Sequence, residues 1–232
     1  GSTGAVTVSG IVGGTTPLTS FTATGNTIST VGVATTGAQS YTGATSSTFS
    51  GTYNISGAAN AFTVTGPALL GGATTVTTNN GNISFSSTLN NGQTLSLTAG
   101  TGAVTITGAT GGTTALTSLT ASGNTIAVNN VRTTGTQTYT GTTSTTLNGT
   151  SYLTAGGTFG VTGPALLGTG ATIDTTNSGG TPAGANISFS TTINNAQTLS
   201  LVGGTAGAIT VSGIVGGTTA LTSFTANANT IS

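Results

Sequence analysis

The side chains that usually perform acid–base, nucleophilic or metal chemistry are almost absent from this chain. Its 232 residues contain one basic residue, Arg132, one acidic residue, Asp174, and no His or Cys. A general acid or base needs a reacting group or partner within hydrogen-bond reach, and a Ser or Thr nucleophile needs an adjacent base. The composition therefore predicts that the protein is not an enzyme and that it has no catalytic, cofactor-binding or metal-binding residues.

Binding sites that depend on charge are also disfavoured. Calcium sites require several carboxylates, and nucleic-acid binding requires a cluster of basic residues. The glycine pairs at Gly13-Gly14 and Gly111-Gly112 lack a following helical pattern, so we interpret them as turns rather than phosphate-binding loops. No apolar run approaches the ~18 residues of a membrane-spanning helix. We therefore expect no nucleic-acid partner and no membrane insertion.

Long internal repeats organise the sequence. Related segments begin with GAVTVSGIVGGTT at Gly4, GAVTITGATGGTT at Gly102 and GAITVSGIVGGTT at Gly207. We divide the chain into a leader or cloning remnant (1–3), repeat 1 (4–101), repeat 2 (102–206) and a partial repeat 3 (207–232) that together continue one rod. Repeat 2 is longer because of an insertion at 177–185, which we expect to be a surface loop. The absence of Met indicates a mature or excised piece.

A shorter period lies inside the long one. NISFSSTLNNGQTLSLTAG and the following AVTITGATGGTTALTSLTASG align at an offset of 21 residues, with Ile83 and Phe85 over Val104 and Ile106. Alternation of apolar and polar residues is typical of a strand with one buried face, and Gly and Asn suit corners. The pattern predicts an all-β protein: a β-solenoid, or β-helix, of about 20-residue coils, with about five coils in each repeat of 98–105 residues.

Tandem immunoglobulin-like sandwiches are the alternative fold, because a domain of about 100 residues matches the long period. The 20-residue sub-period and the thin apolar set favour the solenoid, in which stacked coils share a continuous core. In that fold Arg132 and Asp174 lie about two coils apart, roughly 10 Å along the axis. We interpret both as surface positions outside the repeating pattern, too far apart for a salt bridge.

Three sets of uncharged residues remain as candidate binding features. Asn-x-Ser/Thr sequons suit either corner positions or glycan attachment, and two equivalent tyrosines suit either solenoid packing or stacking on a sugar ring. Thr-x-Thr pairs on a flat face would suit an ice lattice, although their spacing in the sequence is irregular. The sequons are at Asn54, Asn82, Asn148 and Asn186, the tyrosines are Tyr41 and Tyr139, and the pairs are Thr22-x-Thr24, Thr63-x-Thr65, Thr75-x-Thr77 and Thr105-x-Thr107.

The segments GGTTALTSLTASGNTI, TGAQSYTG and NISFSSTLNNGQTLSLTAGTGAVTITG resemble giant bacterial exoproteins of the β-strand-repeat type, relatives of filamentous-haemagglutinin-like and autotransporter-passenger adhesins. The resemblance covers the whole chain and implies a secreted or cell-surface protein with a long β-helical fibre. It implies work in adhesion, biofilm or sheath formation, and no functional residue carries over.

We therefore expect a structural segment of an extracellular filament or surface adhesin. Its main expected partner is itself, through end-to-end or lateral association, because open strand edges template pairing and an uncharged surface lacks repulsion between copies. Surface glycans are a further expected partner. The alternative function is an ice-binding or carbohydrate-binding Thr-rich solenoid.

Overall fold

The chain folds as a parallel β-solenoid. The computed structural model describes residues 4–232, so the expected leader or remnant at residues 1–3 lies outside the described residues. The all-β prediction is confirmed: no helix occurs among residues 4–232, and coils of about 22 residues stack for about 11 turns. The strands of successive coils pair in parallel, as at Val6 and Ile28. This parallel stacking excludes the antiparallel sandwich alternative.

Twenty strands make up the described part of the chain. Their bounds are β1 Ala5–Val8, β2 Phe21–Thr35, β3 Gln39–Ala58, β4 Phe62–Thr65, β5 Ala68–Asn79, β6 Ile83–Phe85, β7 Leu89–Asn90, β8 Thr94–Thr98, β9 Ala103–Ile106, β10 Ser118–Val128, β11 Val131–Arg132, β12 Gln137–Leu147, β13 Ser151–Leu153, β14 Phe159–Thr162, β15 Ala165–Leu167, β16 Ala171–Asp174, β17 Ile187–Phe189, β18 Ile193–Asn194, β19 Thr198–Val211 and β20 Ser223–Ile231.

Each coil has three sides, and successive coils stack their sides into three faces. Longer strands such as β2 and β3 bend around corners and contribute to all three faces. Face 1 carries the stacked residues Val6, Ile28, Ser47, Ala68, Leu89, Thr110, Val131, Tyr152, Ile173, Leu201 and Ala226. Face 2 carries Val12, Val33, Tyr53, Val76, Leu97, Ala121, Tyr139, Val161, Phe189, Val211 and Ser232. Face 3 carries Phe21, Gln39, Phe62, Ile83, Val104, Ile126, Thr145, Ala165, Ile193 and Val215.

The core is a single apolar column enclosed by the three faces. Alternate residues along each strand point inward, so that β6 buries Ile83 and Phe85 while Ser84 stays partly exposed. Aromatic side chains from neighbouring coils pack on one another, with Tyr41 and Phe62 ring centroids 5.3 Å apart and Phe62 and Phe85 centroids 5.8 Å apart. Because each coil shares this column with its neighbours, burial is complete only where coils lie on both sides.

The long sequence repeat does not contain a whole number of coils. The equivalent residues Val6, Val104 and Ile209 lie on face 1, face 3 and face 2. Fourteen strand positions separate each from the next along the faces, and each coil uses three positions. A repeat therefore spans four and two-thirds coils rather than five, and each repeat is rotated by one side of the triangle relative to the one before it.

Glycines at tight corners make the coil path possible. Gly111 has φ +71°, and a Cβ atom at this position would overlap the backbone carbonyl oxygen of Arg132 in the next coil. Gly112, its neighbour, has space for a Cβ, whose nearest atom would be the Ala109 Cβ at 3.7 Å. The repeat-1 equivalent, Gly13, has φ +70° and would meet the Ala34 carbonyl in the same way.

We expect Gly111→Ala to lower the free energy of unfolding by about 2–4 kcal/mol, because it adds left-handed backbone strain of about 1–2 kcal/mol to a clash with the adjacent coil. Gly112→Ala is the matched control and should change it by less than about 1 kcal/mol. Urea unfolding of both variants measures the difference. Equal effects would contradict the assignment of the constraint to Gly111.

Candidate functional site

Ser and Thr side chains form two parallel ranks on the outside of face 3. Across the first five coils the outward pairs stack in register, one pair to a coil. They are Thr22 and Thr24, Ser40 and Thr42, Thr63 and Thr65, Ser84 and Ser86, and Thr105 and Thr107. The ranks repeat at the strand spacing of about 4.8 Å along the rod and lie about 7 Å apart across it. Three of the four Thr-x-Thr pairs noted in the sequence therefore lie in one array, despite their irregular spacing along the chain.

A second array continues on face 2. It begins with the fourth pair, Thr75-x-Thr77, and stacks through Ser96 and Thr98, Thr120 and Ser122, and Thr138 and Thr140. The change of face follows from the rotation of each repeat, because Thr22 and Thr120 are equivalent sequence positions. Neither face therefore carries the array along the whole described rod. Each array offers an uncharged surface of hydroxyl and methyl groups about five coils long.

Arg132 lies at the rim of a shallow surface groove. Its side chain is exposed, and the groove of about 180 Å³ is also lined by Ala109, Gly112 and Leu153. In repeat 1 the equivalent groove has Ala34 in place of the arginine and measures about 370 Å³. The surface position expected for Arg132 is confirmed, and its side chain narrows a groove that is more open in repeat 1.

Asp174 is buried, which corrects the surface position that we expected for it. Only 7% of the residue is exposed. Its carboxylate accepts hydrogen bonds from the Thr176 backbone N–H at 2.6 Å, the Thr176 hydroxyl at 2.6 Å and the Ser178 N–H at 2.9 Å. The sequence gave no sign of this role, because the partners belong to the insertion. The expected surface loop at 177–185 is present, with Ser178 among its exposed residues, and Asp174 anchors its first turn.

The separation predicted for the two charged residues is confirmed. Arg132 pairs with Leu153, and Leu153 pairs with Asp174, all on face 1. Two ladder steps amount to about 10 Å. The carboxylate of Asp174 is therefore held by its own loop rather than by the arginine.

We expect Asp174→Ala to release the insertion loop while leaving the coils intact. Hydrogen bonds to a charged acceptor each contribute more than neutral ones, so about 2–3 kcal/mol of local stability should be lost. Amide hydrogen exchange should show protection falling at Thr176 and Ser178. Thr172→Ala, on the exposed side of the same strand, and Arg132→Ala are the controls and should leave that protection unchanged. Unchanged protection in Asp174→Ala would contradict the anchoring role.

Asparagine side chains tie neighbouring coils together at corners. The Asn82 Oδ1 accepts a hydrogen bond from the Ala103 N–H at 2.9 Å, and the Asn186 Oδ1 accepts one from the Ala208 N–H at 2.9 Å. Both acceptors lie one coil before their donors, so the corner interpretation of these two residues is confirmed. Asn54 and Asn148 are also exposed. Glycan attachment at the four sequons stays a prediction.

The equivalent tyrosines lie in the core, as the packing interpretation predicted. Tyr41 and Tyr139 are both fully buried, so neither can stack on a sugar ring at the surface. The Tyr41 hydroxyl donates to the Gln39 Oε1 at 3.0 Å, and the Tyr139 hydroxyl donates to the Gln137 Oε1 at 3.1 Å. The polar cluster is therefore reproduced in both repeats, on face 3 in repeat 1 and on face 2 in repeat 2.

The two glutamines complete these clusters by donating to the backbone. The Gln137 amide nitrogen lies 2.8 Å from the Leu153 carbonyl oxygen and 3.3 Å from that of Val131. The Gln39 amide nitrogen makes the corresponding contacts to Asn54 at 3.2 Å and Val33 at 3.0 Å. Each side chain thus joins two coils across a corner. Sequence reasoning missed this role, although a Gln at an inward position two residues before each Tyr was a visible signal.

Four tyrosines share an environment that opposes ionisation. Tyr41, Tyr53, Tyr139 and Tyr152 are all fully buried. Loss of solvent raises the pKa of every one of them, and the neighbouring tyrosine adds to the rise at Tyr41 and Tyr139. At Tyr53 and Tyr152, hydrogen bonds that favour the ionised form offset part of the rise in pKa. These phenols therefore stay neutral in the folded protein well beyond their ordinary range.

Both ends of the described rod expose residues that are buried elsewhere. Ile28 and Ile126 are 1% exposed, whereas their equivalent in the last coil, Ile231, is 56% exposed. Likewise Leu116 is fully buried, whereas its equivalent in the first coil, Leu18, is 41% exposed. The reason is that no further coil covers the first coil from below or the last from above. Each end also presents a strand edge whose backbone groups lack a ladder partner on one side.

No group of three or more His, Cys, Asp or Glu side chains comes together among residues 4–232. Within the same range, no helix has the length and apolar character needed to cross a membrane. A scan against protein-family models, a search of curated proteins and a search of solved structures each found no match to this chain. The candidate functional features are therefore the hydroxyl arrays, the grooves and the two ends.

Proposed function

We propose that this chain is a structural segment of an extracellular bacterial filament or surface adhesin, secreted or held at the cell surface, and that it acts in biofilm, sheath or attachment. Its partner is a second copy of itself, and surface glycans are a further partner. The observation that carries the proposal is the exposure of core positions at both ends of the rod, beside unpaired strand edges.

The uncharged surface supports the same proposal. Proteins with substantial net charge repel one another and stay apart, whereas this chain has a formal net charge of zero with one charge of each sign. Exposed apolar residues at the ends, such as Phe224 at 42% and Ile231 at 56%, would be buried by association. The driving force is about 25 cal/mol per Å² of apolar surface removed from water, together with new ladder hydrogen bonds.

Sedimentation and light scattering across a range of concentrations test self-association. We expect elongated multimers whose length grows with concentration. Ile231→Arg should shorten them, because it places an unpaired charge in the junction, whereas the matched change Thr120→Arg, on the exposed side of the rod, should not. A monodisperse monomer at high concentration would contradict the proposal.

The stacked hydroxyl arrays favour ice or carbohydrate binding as a second candidate function. Thr22, Thr63 and Thr105 stand in one rank, and none of their hydroxyls makes a hydrogen bond within residues 4–232, so all three are available to a ligand. Thermal hysteresis in freezing solutions would support ice binding, and retention on a glycan array would support a lectin role. If Thr63→Leu with Thr105→Leu left either activity unchanged, the arrays would not be the binding surface.

A further inference from the structure

We propose that copies of this chain join head to tail by continuing the spiral, with each copy rotated by about one third of a turn relative to the previous one. The proposal rests on the self-association proposed above and adds the geometry of the junction. It follows from the number of strand positions in the chain and from the structure of the coil.

The described chain ends part-way around a coil. Faces 1 and 2 each carry eleven stacked positions and face 3 carries ten, thirty-two in all, so the last coil lacks its face 3 side. The open upper edge is consequently made of Val215 on face 3, β20 residues on face 1 and Ser232 on face 2. The open lower edge starts with β1 on face 1.

Two arrangements of a second copy can be compared on this edge. If faces match directly, β1 of the second copy covers face 1, and a strand-sized gap remains above Val215. That gap leaves backbone N–H and C=O groups unpaired inside the junction, which is unfavourable. If the second copy is rotated by one side, its β1 occupies the missing face 3 position. Every edge strand then gains a partner and the spiral continues without interruption.

The coil accepts such a rotation because its three faces are interchangeable. The equivalent residues Val6, Val104 and Ile209 already occupy three different faces within the chain. The rotated junction places Phe21 of the second copy over Ile231 of the first. This apolar combination already occurs between coils, where Phe62 pairs with Ile83. The junction therefore reuses the stacking that holds the coils together elsewhere in the rod.

The geometry predicts the helical symmetry of the resulting fibre. Thirty-two positions correspond to ten and two-thirds coils, which at a strand spacing of about 4.8 Å gives a rise of about 51 Å per copy. The rotation per copy is about 120° in magnitude, so the same face returns after three copies, about 154 Å along the axis. This head-to-tail contact is heterologous and open, which is the arrangement that generates filaments rather than closed oligomers.

Helical reconstruction by cryo-EM of the full chain tests the proposal. We expect a rise of about 51 Å and a rotation near 120°. A variant that extends the chain after Ser232 with a copy of residues 30–37 (TVGVATTG) supplies the missing face 3 strand and makes eleven whole coils. Its rotation should fall close to zero, with a rise of about 53 Å.

The possible results separate this proposal from the proposed function. Filaments of the full chain without rotation, or an extended chain that keeps the 120° rotation, would overturn the continued spiral while leaving self-association intact. Lateral bundles without end-to-end joints would have the same effect. If neither chain formed multimers, the proposed self-association would fail, and the spiral junction with it.

Discussion

Raising the pH above about 10 is expected to unfold this protein over a narrow pH range. Burial raises the pKa of Tyr41, Tyr53, Tyr139 and Tyr152 in the folded state, whereas an unfolded tyrosine has a pKa of about 10. Above that pH the unfolded chain loses protons that the folded chain retains. The free energy of unfolding therefore falls as the pH rises, and the stabilisation is fully present only below pH 10.

The size of the effect follows from the number of tyrosines. Each one lowers the free energy of unfolding by about 1.4 kcal/mol per pH unit above 10, so four lower it by roughly 5–6 kcal/mol per unit. Domain stabilities are about 5–15 kcal/mol, which places the expected transition between about pH 11 and 12. Between about pH 5 and 9 the phenols are neutral in both states and contribute no pH dependence.

Circular dichroism and tyrosinate absorbance, followed together from pH 7 to pH 12, measure this transition. Both signals should change at the same pH, because the phenols ionise only on unfolding. Tyr41→Phe should reduce the pH dependence by about a quarter, although it also removes the bond to Gln39 and lowers stability at neutral pH by about 1 kcal/mol. If tyrosinate formed near pH 10 while the β signal persisted, the prediction would be wrong.

Replacing a buried glutamine is expected to produce the second large effect. Gln137→Leu keeps the approximate volume of the side chain but removes the donor to Val131 and Leu153 and the acceptor for the Tyr139 hydroxyl. A buried polar group left without a partner costs about 1–3 kcal/mol. We therefore expect the free energy of unfolding to fall by about 2–4 kcal/mol in urea. Gln93→Leu, at an exposed position, is the control and should be nearly neutral.

A double-mutant cycle tests whether the loss comes from the polar cluster. Alone, Tyr139→Phe should be destabilising, because it removes the donor to Gln137. In the Gln137→Leu background the same change should be neutral or stabilising, since it deletes a hydroxyl that has already lost its acceptor. Gln39→Leu lies five coils away and should add to Gln137→Leu independently. Additive effects of Gln137→Leu and Tyr139→Phe would show that the two side chains act separately.

The architecture was predictable because the sequence repeats its own constraints. The 21-residue offset between Ile83 and Val104 is also their pairing register in the structure, and alternation identified which side chains face inward. The rotation of successive repeats was harder to predict, because it depends on the number of corners in a coil. Three short sides and five coils per repeat fit the same residue counts nearly as well as fourteen positions do.

Individual roles were less predictable where tertiary contacts determine them. Asp174 interrupts the repeat, and its hydrogen-bond partners in the insertion have no counterpart in repeat 1 against which to compare them. The Thr-x-Thr pairs looked irregular because corner lengths vary along the chain, whereas stacking depends on position within a side. Thr75 and Thr22 are similar in sequence context, yet they lie on different faces.

The rotation of the repeats has a mechanical consequence. The protruding GGTT loops at Gly13, Gly111 and Gly216 occupy three different corners of the triangular cross-section, about 22 Å apart along the axis. A fibre made of many such repeats distributes its loops, grooves and hydroxyl arrays evenly around the axis. It consequently has no flat side and no preferred plane of bending, so it should respond to shear like a rope rather than a ribbon.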